Sequence, residues 1–185
     1  MRLNQTKSFD AFSEDRTGLK YKKLPFFKAY VLLEAISFSC MPIISFRFLW
    51  NRHNNDVVAL GEREKIYDML ERAGLVLNET TIVPYVTFVL DHVYTEQGTL
   101  RLTERMGQVE FTTQPTTEER AYLEQTIRPA QVSDQGDHYS INATILYGKT
   151  LFLANLELTK EGLITFVSET VLREDLDCAR PIFLE

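Results

Sequence analysis

Polar and apolar residues alternate most regularly in the last third of the chain, and two glycine turns there set which residues face each other. Tyr147-Gly148-Lys149-Thr150 reads as a two-residue type II′ loop with Gly148 at positive φ. That loop pairs Ile145 with Phe152, Ala143 with Ala154, Ile141 with Leu156 and Tyr139 with Leu158. Lys160-Glu161-Gly162 reads as a three-residue loop that sets Leu158 opposite Ile164 and Leu156 opposite Phe166. Both turns place the same residues on one apolar face, so a three-stranded antiparallel meander is expected over 138–173.

Earlier segments follow the same logic with less redundancy. Glu96-Gln97-Gly98 reads as a hairpin loop with Tyr94 opposite Leu100, His92 opposite Leu102 and Leu90 opposite Glu104. Val86, Phe88, Leu90, His92 and Tyr94 then form the apolar face of a strand. After Pro42, the run Ile44, Phe46, Phe48, Trp50 has the two-residue period of another strand. Between 26 and 40 both periods occur: Phe26, Phe27, Tyr30 and Leu33 suit a helix, whereas Ile36, Phe38 and Cys40 alternate. Ile66, Met69, Leu70, Ala73 and Leu77 fall at helical spacing, which predicts an amphipathic helix over 62–74 ending near Gly74. Thr116-Thr117-Glu118-Glu119 is a capping box that opens a second helix, and Pro129 cannot continue it. The fold class expected is α+β: an antiparallel β-sheet, made of hairpins and the C-terminal meander, with two or three helices packed on one face. Residues 1–23 read as a basic N-terminal arm and 24–185 as a single α+β domain.

Two places carry candidate chemistry. The meander's second face presents Ser140, Glu157 and Thr165 in one row, then Asn142 and Asn155, then Thr144, Leu153 and Glu169. Its plain reading is a solvated sheet face. Its functional reading is a polar floor on which Asn142, Asn155, Glu157 and Glu169 orient a ligand, and Leu146, Leu151, Leu153 and Val167 on that side point to cover by another element or a partner. In the middle hairpin, His92 on an apolar face beside Glu104 is the arrangement that tunes an imidazole for proton transfer. The bland alternative is a hydrogen-bonded core histidine. Asp91, on the reverse side between Arg101 and Arg105, reads as a surface ion cluster.

Composition narrows the function classes. The 185 residues carry 20 Lys/Arg and 26 Asp/Glu, a net charge of −6. The first 23 residues hold six basic against three acidic side chains, leaving 14 against 23 in the rest. An acidic body repels phosphate backbones, so no nucleic-acid partner is expected. The run Lys20-Tyr21-Lys22-Lys23 suits a solvated arm, a membrane surface or an acidic partner. Lys28, Glu34, Pro42 and Arg47 interrupt the most apolar stretch, so no transmembrane segment is expected. The N-terminus lacks a signal-peptide core, which with only Cys40 and Cys178 suggests a cytoplasmic protein without a disulfide scaffold. His53, His92 and His138 lack ligand spacing, and no phosphate-loop, dinucleotide or nucleophile-elbow motif is present, so neither metal nor cofactor is expected. The apolar end Ile182-Phe183-Leu184 is expected to dock, on its own domain or across a homodimer interface.

The stretch from Gly148 to Leu156 resembles the hairpin of chorismate lyases and the related ligand-sensing domains of transcription regulators, which are antiparallel α+β folds. Asn155 stands where those lyases carry a functional glutamate, and their substrate-binding arginine has no counterpart, so the likeness implies an analogy of fold only. The function expected is a non-catalytic binding or interaction module that recognises a small molecule or a protein partner through the polar sheet face. The alternative is a small cofactor-independent lyase, isomerase or hydrolase using His92 with Glu104.

Overall fold

A computed structural model describes residues 13–39, 43–95 and 98–179. Strands β1 (Thr17–Lys23), β2 (Tyr30–Ser37), β3 (Ile44–Asn51) and β4 (Val57–Ala59) form a four-stranded antiparallel sheet in chain order. The open question over 26–40 is thus settled as strand across Tyr30–Ser37, because β2 lies between β1 and β3 and buries Val31, Leu33 and Ala35 on one side. Residues 17–23, read as the end of a basic arm, are the edge strand of this sheet.

Helices α1 (Arg63–Tyr67), α2 (Leu70–Ala73) and α3 (Ile82–His92) follow. The helix expected over 62–74 is broken at Asp68 and Met69 into two short pieces, and Gly74 closes α2 in the left-handed region, with φ 64° and ψ 57°. Then come β5 (Tyr94–Thr95), β6 (Gly98–Leu102), α4 (Thr117–Thr126), β7 (Gln131–Asp134), β8 (His138–Tyr147), β9 (Thr150–Thr159) and β10 (Ile164–Arg173). They build a six-stranded antiparallel sheet in the order β10-β9-β8-β6-β5, with β6 and β7 sharing one side of β8. The fold is α+β with a C-terminal meander, as expected.

The meander has the expected register at both turns. Ile141 pairs with Leu156, Ala143 with Ala154, Ile145 with Phe152, and Leu158 with Ile164. Gly148 sits at φ 59° and Gly162 at φ 100°. At Gly162 the lack of a side chain also serves packing: a Cβ there would lie 2.5 Å from Leu75 Cδ2, and the Tyr85 hydroxyl donates to the Gly162 carbonyl at 2.6 Å. The turn is pinned to the helices.

One side of the meander meets α1, α2 and α3. Ile66, Met69, Tyr85, Val86 and Val89 join Ile141, Ile145, Leu156 and Leu158 in the main core, which also takes Tyr30 and Leu49 from the first sheet. Each such side chain, fully buried, contributes about 1.5–3 kcal/mol. A fourth helix, α4, covers one end of the opposite face. There Leu123 and Ile127 pack with Leu146, Leu151, Leu176 and Cys178 in a second core.

Two expectations are corrected. Residues 82–92 are the helix α3, not a strand, and the following hairpin pairs Tyr94 with Thr99 and Thr95 with Gly98 rather than Tyr94 with Leu100. An almost wholly apolar run satisfies both periods. Ile82, Tyr85, Val86 and Val89 lie on one helical stripe, and the tertiary core takes the helix. In β10, Val167 is an extra residue in a β-bulge, so Ser168 pairs with Asn155 and Glu169 with Ala154. Phe166 does face Leu156, but it remains 39% exposed.

Toward its C-terminus the chain runs back along residues 110–112. Ala179 N–H donates to the Glu110 carbonyl and Thr112 N–H to the Asp177 carbonyl, both at 2.8 Å. The apolar end 182–184 expected to dock lies outside the described residues, as does Cys40. Among the described residues no helix is long and apolar enough to cross a membrane, and no group of His, Cys, Asp and Glu is arranged to hold a metal ion.

Candidate functional site

One end of the meander's amide row, at Asn142, borders a groove. Across three strands, Asn142 Nδ2 donates to Asn155 Oδ1 at 2.7 Å, and Asn155 Nδ2 donates to Ser168 Oγ at 2.9 Å. Over one end of this row lies α4. Thr116 caps the helix by accepting from the Glu119 N–H at 3.2 Å. The Glu119 carboxylate does not reach back to close the expected box. It takes Arg173 Nη2 at 3.3 Å, while the Tyr122 hydroxyl donates to the Leu172 carbonyl at 2.8 Å. These two links hold α4 to β10, and Leu123, fully buried, anchors it from below.

Between helix and sheet lies an open cavity of about 420 Å³, bordered by Tyr122, Gln125, Arg128, Asn142, Thr144 and Leu153. Its walls are Leu153 and Leu172 with the Tyr122 ring, and its polar groups include the amides of Gln125, Gln131 and Asn142 beside Thr126 and Thr144. Arg128 is its one charged lining residue. The Arg128 Nε donates to the Gln125 carbonyl at 3.1 Å, and no ion pair engages its guanidinium among the described residues. A second hollow of similar size continues past Tyr122 and Leu172 to Glu118, Glu119 and Arg173. Apolar walls with a few convergent polar groups are what a small-ligand site requires.

The four sheet residues expected to bind together are not all brought together. Asn142 and Asn155 are joined directly, and Asn142 borders the cavity. Glu157 lies on the same face toward the other end of the strands, with an Oε1 4.0 Å from His138 Nε2. Asp137 holds that histidine's other nitrogen at 2.7 Å, a bond that lowers the Asp137 carboxyl from its ordinary value. Glu169 is displaced. The bulge at Val167 turns it to the opposite side of the sheet, so the row through Thr144 and Leu153 ends at Thr170. Arg128, Gln125 and Tyr122 escape a strand-by-strand reading because they come from α4 and the segment after it. The leucines Leu146, Leu151 and Leu153 on an otherwise polar face were the signal of that cover.

His92 and Glu104 are separated. His92 is the last residue of α3, 5% exposed, with its ring 4.6 Å from that of Phe88. Its Nδ1 lies 2.7 Å from the Phe88 carbonyl, which places the proton on Nδ1 and leaves Nε2 a buried acceptor with no partner among the described residues. Burial drives its pKa down to about 4, against the pull of the Phe88 carbonyl and with help from Arg47 and Lys22. Glu104 instead accepts from the Ala130 N–H at 3.2 Å and so anchors the strand entering β7. The pair offers no acid–base couple, because the helix turns His92 into the core, away from the facing position a hairpin strand would have given it. Asp91, next to His92, is pushed up to about 6 by burial, with Arg101 and Arg47 opposing. Among the described residues no ion pair joins Asp91 to Arg101 or Arg105, and Arg101 reaches Glu110 at 3.8 Å.

Comparison of the chain with family models, with curated proteins and with solved structures gives no match.

Proposed function

We propose that this chain is a non-catalytic binding module whose ligand lies in the groove between α4 and the amide row of the meander. The observation that carries this reading is the groove itself: a cavity of about 420 Å³ with apolar walls, the Asn142 amide on its sheet side, and the Arg128 guanidinium, free of ion pairs among the described residues. The Asn142–Asn155–Ser168 chain of hydrogen bonds holds the Asn142 amide in one orientation, so a ligand loses little of its binding energy to ordering it. Arg128 favours a small molecule bearing a carboxylate or another planar anion, since its fork of donors matches such a group.

The test is a fragment screen followed by amide chemical shifts of the labelled protein, using small carboxylic acids and their neutral amide analogues as probes. Acids that shift Asn142, Thr144 and Leu153 together, and lose their effect in Arg128→Ala and in the groove-filling Leu153→Trp, support the reading. Shifts that avoid these residues, or no saturable shift for any acid, overturn it.

A further inference from the structure

The outer edge of β1 presents backbone groups to solvent, since β1 ends the first sheet and has β2 as its one strand neighbour among the described residues. Along this edge the side chains alternate in kind. Leu19 and Tyr21 share a face with Ala35 and Leu33, whereas Lys20 and Lys22 share the other with Glu34 and Leu32. Leu19 and Tyr21 are 62% and 58% exposed, and Leu19 is the most exposed large hydrophobic side chain among the described residues. The Arg52 guanidinium lies 4.3 Å from the centre of the Tyr21 ring and adds positive charge beside the apolar face. Neither Lys20, Lys22 nor Lys23 is ion-paired among the described residues, although the chain as a whole is acidic.

We propose that β1 receives an extended acidic segment of a partner protein as an added strand, with acidic residues alternating with apolar ones. The alternation follows from the pleat. A strand laid on this edge presents successive side chains to opposite faces, one set meeting Leu19 and Tyr21 and the other meeting Lys20 and Lys22. Lysines on an edge strand keep neutral and basic strands away, and they admit one that carries carboxylates at the facing positions. Main-chain hydrogen bonds and burial of Leu19 and Tyr21 supply affinity, while the lysines select the partner.

Two other occupants fit less well. A second copy of β1 set antiparallel, with Leu19 or Tyr21 opposite its own Tyr21, brings Lys20 against Lys20 or Lys22. A bilayer surface needs several basic side chains on the apolar side, and here Arg52 lies beside Tyr21 whereas Lys20 and Lys22 point to the opposite face. The surface is independent of the groove under α4, so failure of either leaves the other standing.

The probes are a short synthetic peptide alternating glutamate with valine, a peptide of the same composition with its glutamates grouped at one end, and phosphatidylserine vesicles. The alternating peptide should bind saturably and slow hydrogen exchange of backbone amides in Thr17–Lys23. The grouped peptide should bind about tenfold more weakly. Lys20→Gln combined with Lys22→Gln should weaken binding of the alternating peptide at least about tenfold without lowering the melting temperature. Equal binding of the two peptides, binding without protection of β1, or binding of vesicles but not of peptide would each overturn the proposal. So would concentration-dependent protection of β1 with no peptide added, which would assign the edge to a second copy of the chain.

Discussion

Leu156 and Asn155 are neighbours on β9 and meet opposite surroundings. Leu156 is fully buried against α3, in a layer where three helices fill the space over Ile141, Ala143 and Ile145. Asn155 faces the other way, bonded sideways to Asn142 and Ser168, and only one end of its face is covered, by α4. Along β8 and β9 this sheet face is closed and serves stability, while at the β10 edge Phe166 stays partly exposed. A face covered at one end keeps a groove where the cover stops. The same contrast separates the two polar candidates: His92 is packed into the closed side, whereas Asn142 borders the open one.

The largest effect comes from putting a charge on the closed face. Leu156→Asp buries an unpaired carboxylate in the main core and should cost more than about 4 kcal/mol, enough to unfold the chain in urea titrations monitored by circular dichroism. If Leu156→Asp and Asn155→Asp destabilise equally, the two faces are not distinct.

Acid titration comes next. The native pKa of His92 lies below its ordinary 6.5, at about 4, so the unfolded chain binds the proton first, and stability is lost as pH falls from 6.5 toward 4. Asp91 is raised from 3.8 to about 6, so the native state holds its proton more tightly, and stability is gained as pH falls through 6. Between about pH 4 and 6 these opposed slopes, about 1.4 kcal/mol per pH unit each, offset one another. Asp91→Asn should therefore steepen the loss of stability on acidification in that window, and His92→Phe should turn it into a gain. Identical pH profiles for the two variants, read by chemical denaturation, would mean that His92 and Asp91 are not both buried as described.

A smaller effect tests how tightly the closed side grips its turn. Gly162→Ala forces a left-handed alanine and sets its Cβ 2.5 Å from Leu75 Cδ2, which should cost about 1–3 kcal/mol and lower the melting temperature. Gly136 also has positive φ, but a Cβ there meets nothing within 4 Å, so Gly136→Ala should cost clearly less. The smallest effect belongs to the open face. Asn155→Asp keeps an acceptor for Asn142 and lets the Ser168 hydroxyl donate in turn, so stability should change by less than about 0.5 kcal/mol.

What was legible in the chain differs between these regions for a physical reason. Gly148 and Gly162 hold φ values that other residues rarely adopt, so each turn pins its register locally, and Thr116 and Gly74 mark helix ends in the same way. The bulge at Val167 carries no such mark. It moved Glu169 off the row of Thr144 and Leu153 although both meander turns were correctly placed. Residues 82–92 had one usable sign, Pro84 in what proved to be the first turn of α3, where a missing N–H costs little.

By itself, then, the chain determined the meander, its two turns, the polarity of its faces and the N-cap of α4, because each depends on residues a few positions apart. Tertiary structure decided that the apolar run before β5 is helical, that His92 points into a core away from Glu104, and that α4 lies over the amides. Those outcomes depend on which distant surfaces bury one another, and an apolar run advertises that it will be buried without stating against what.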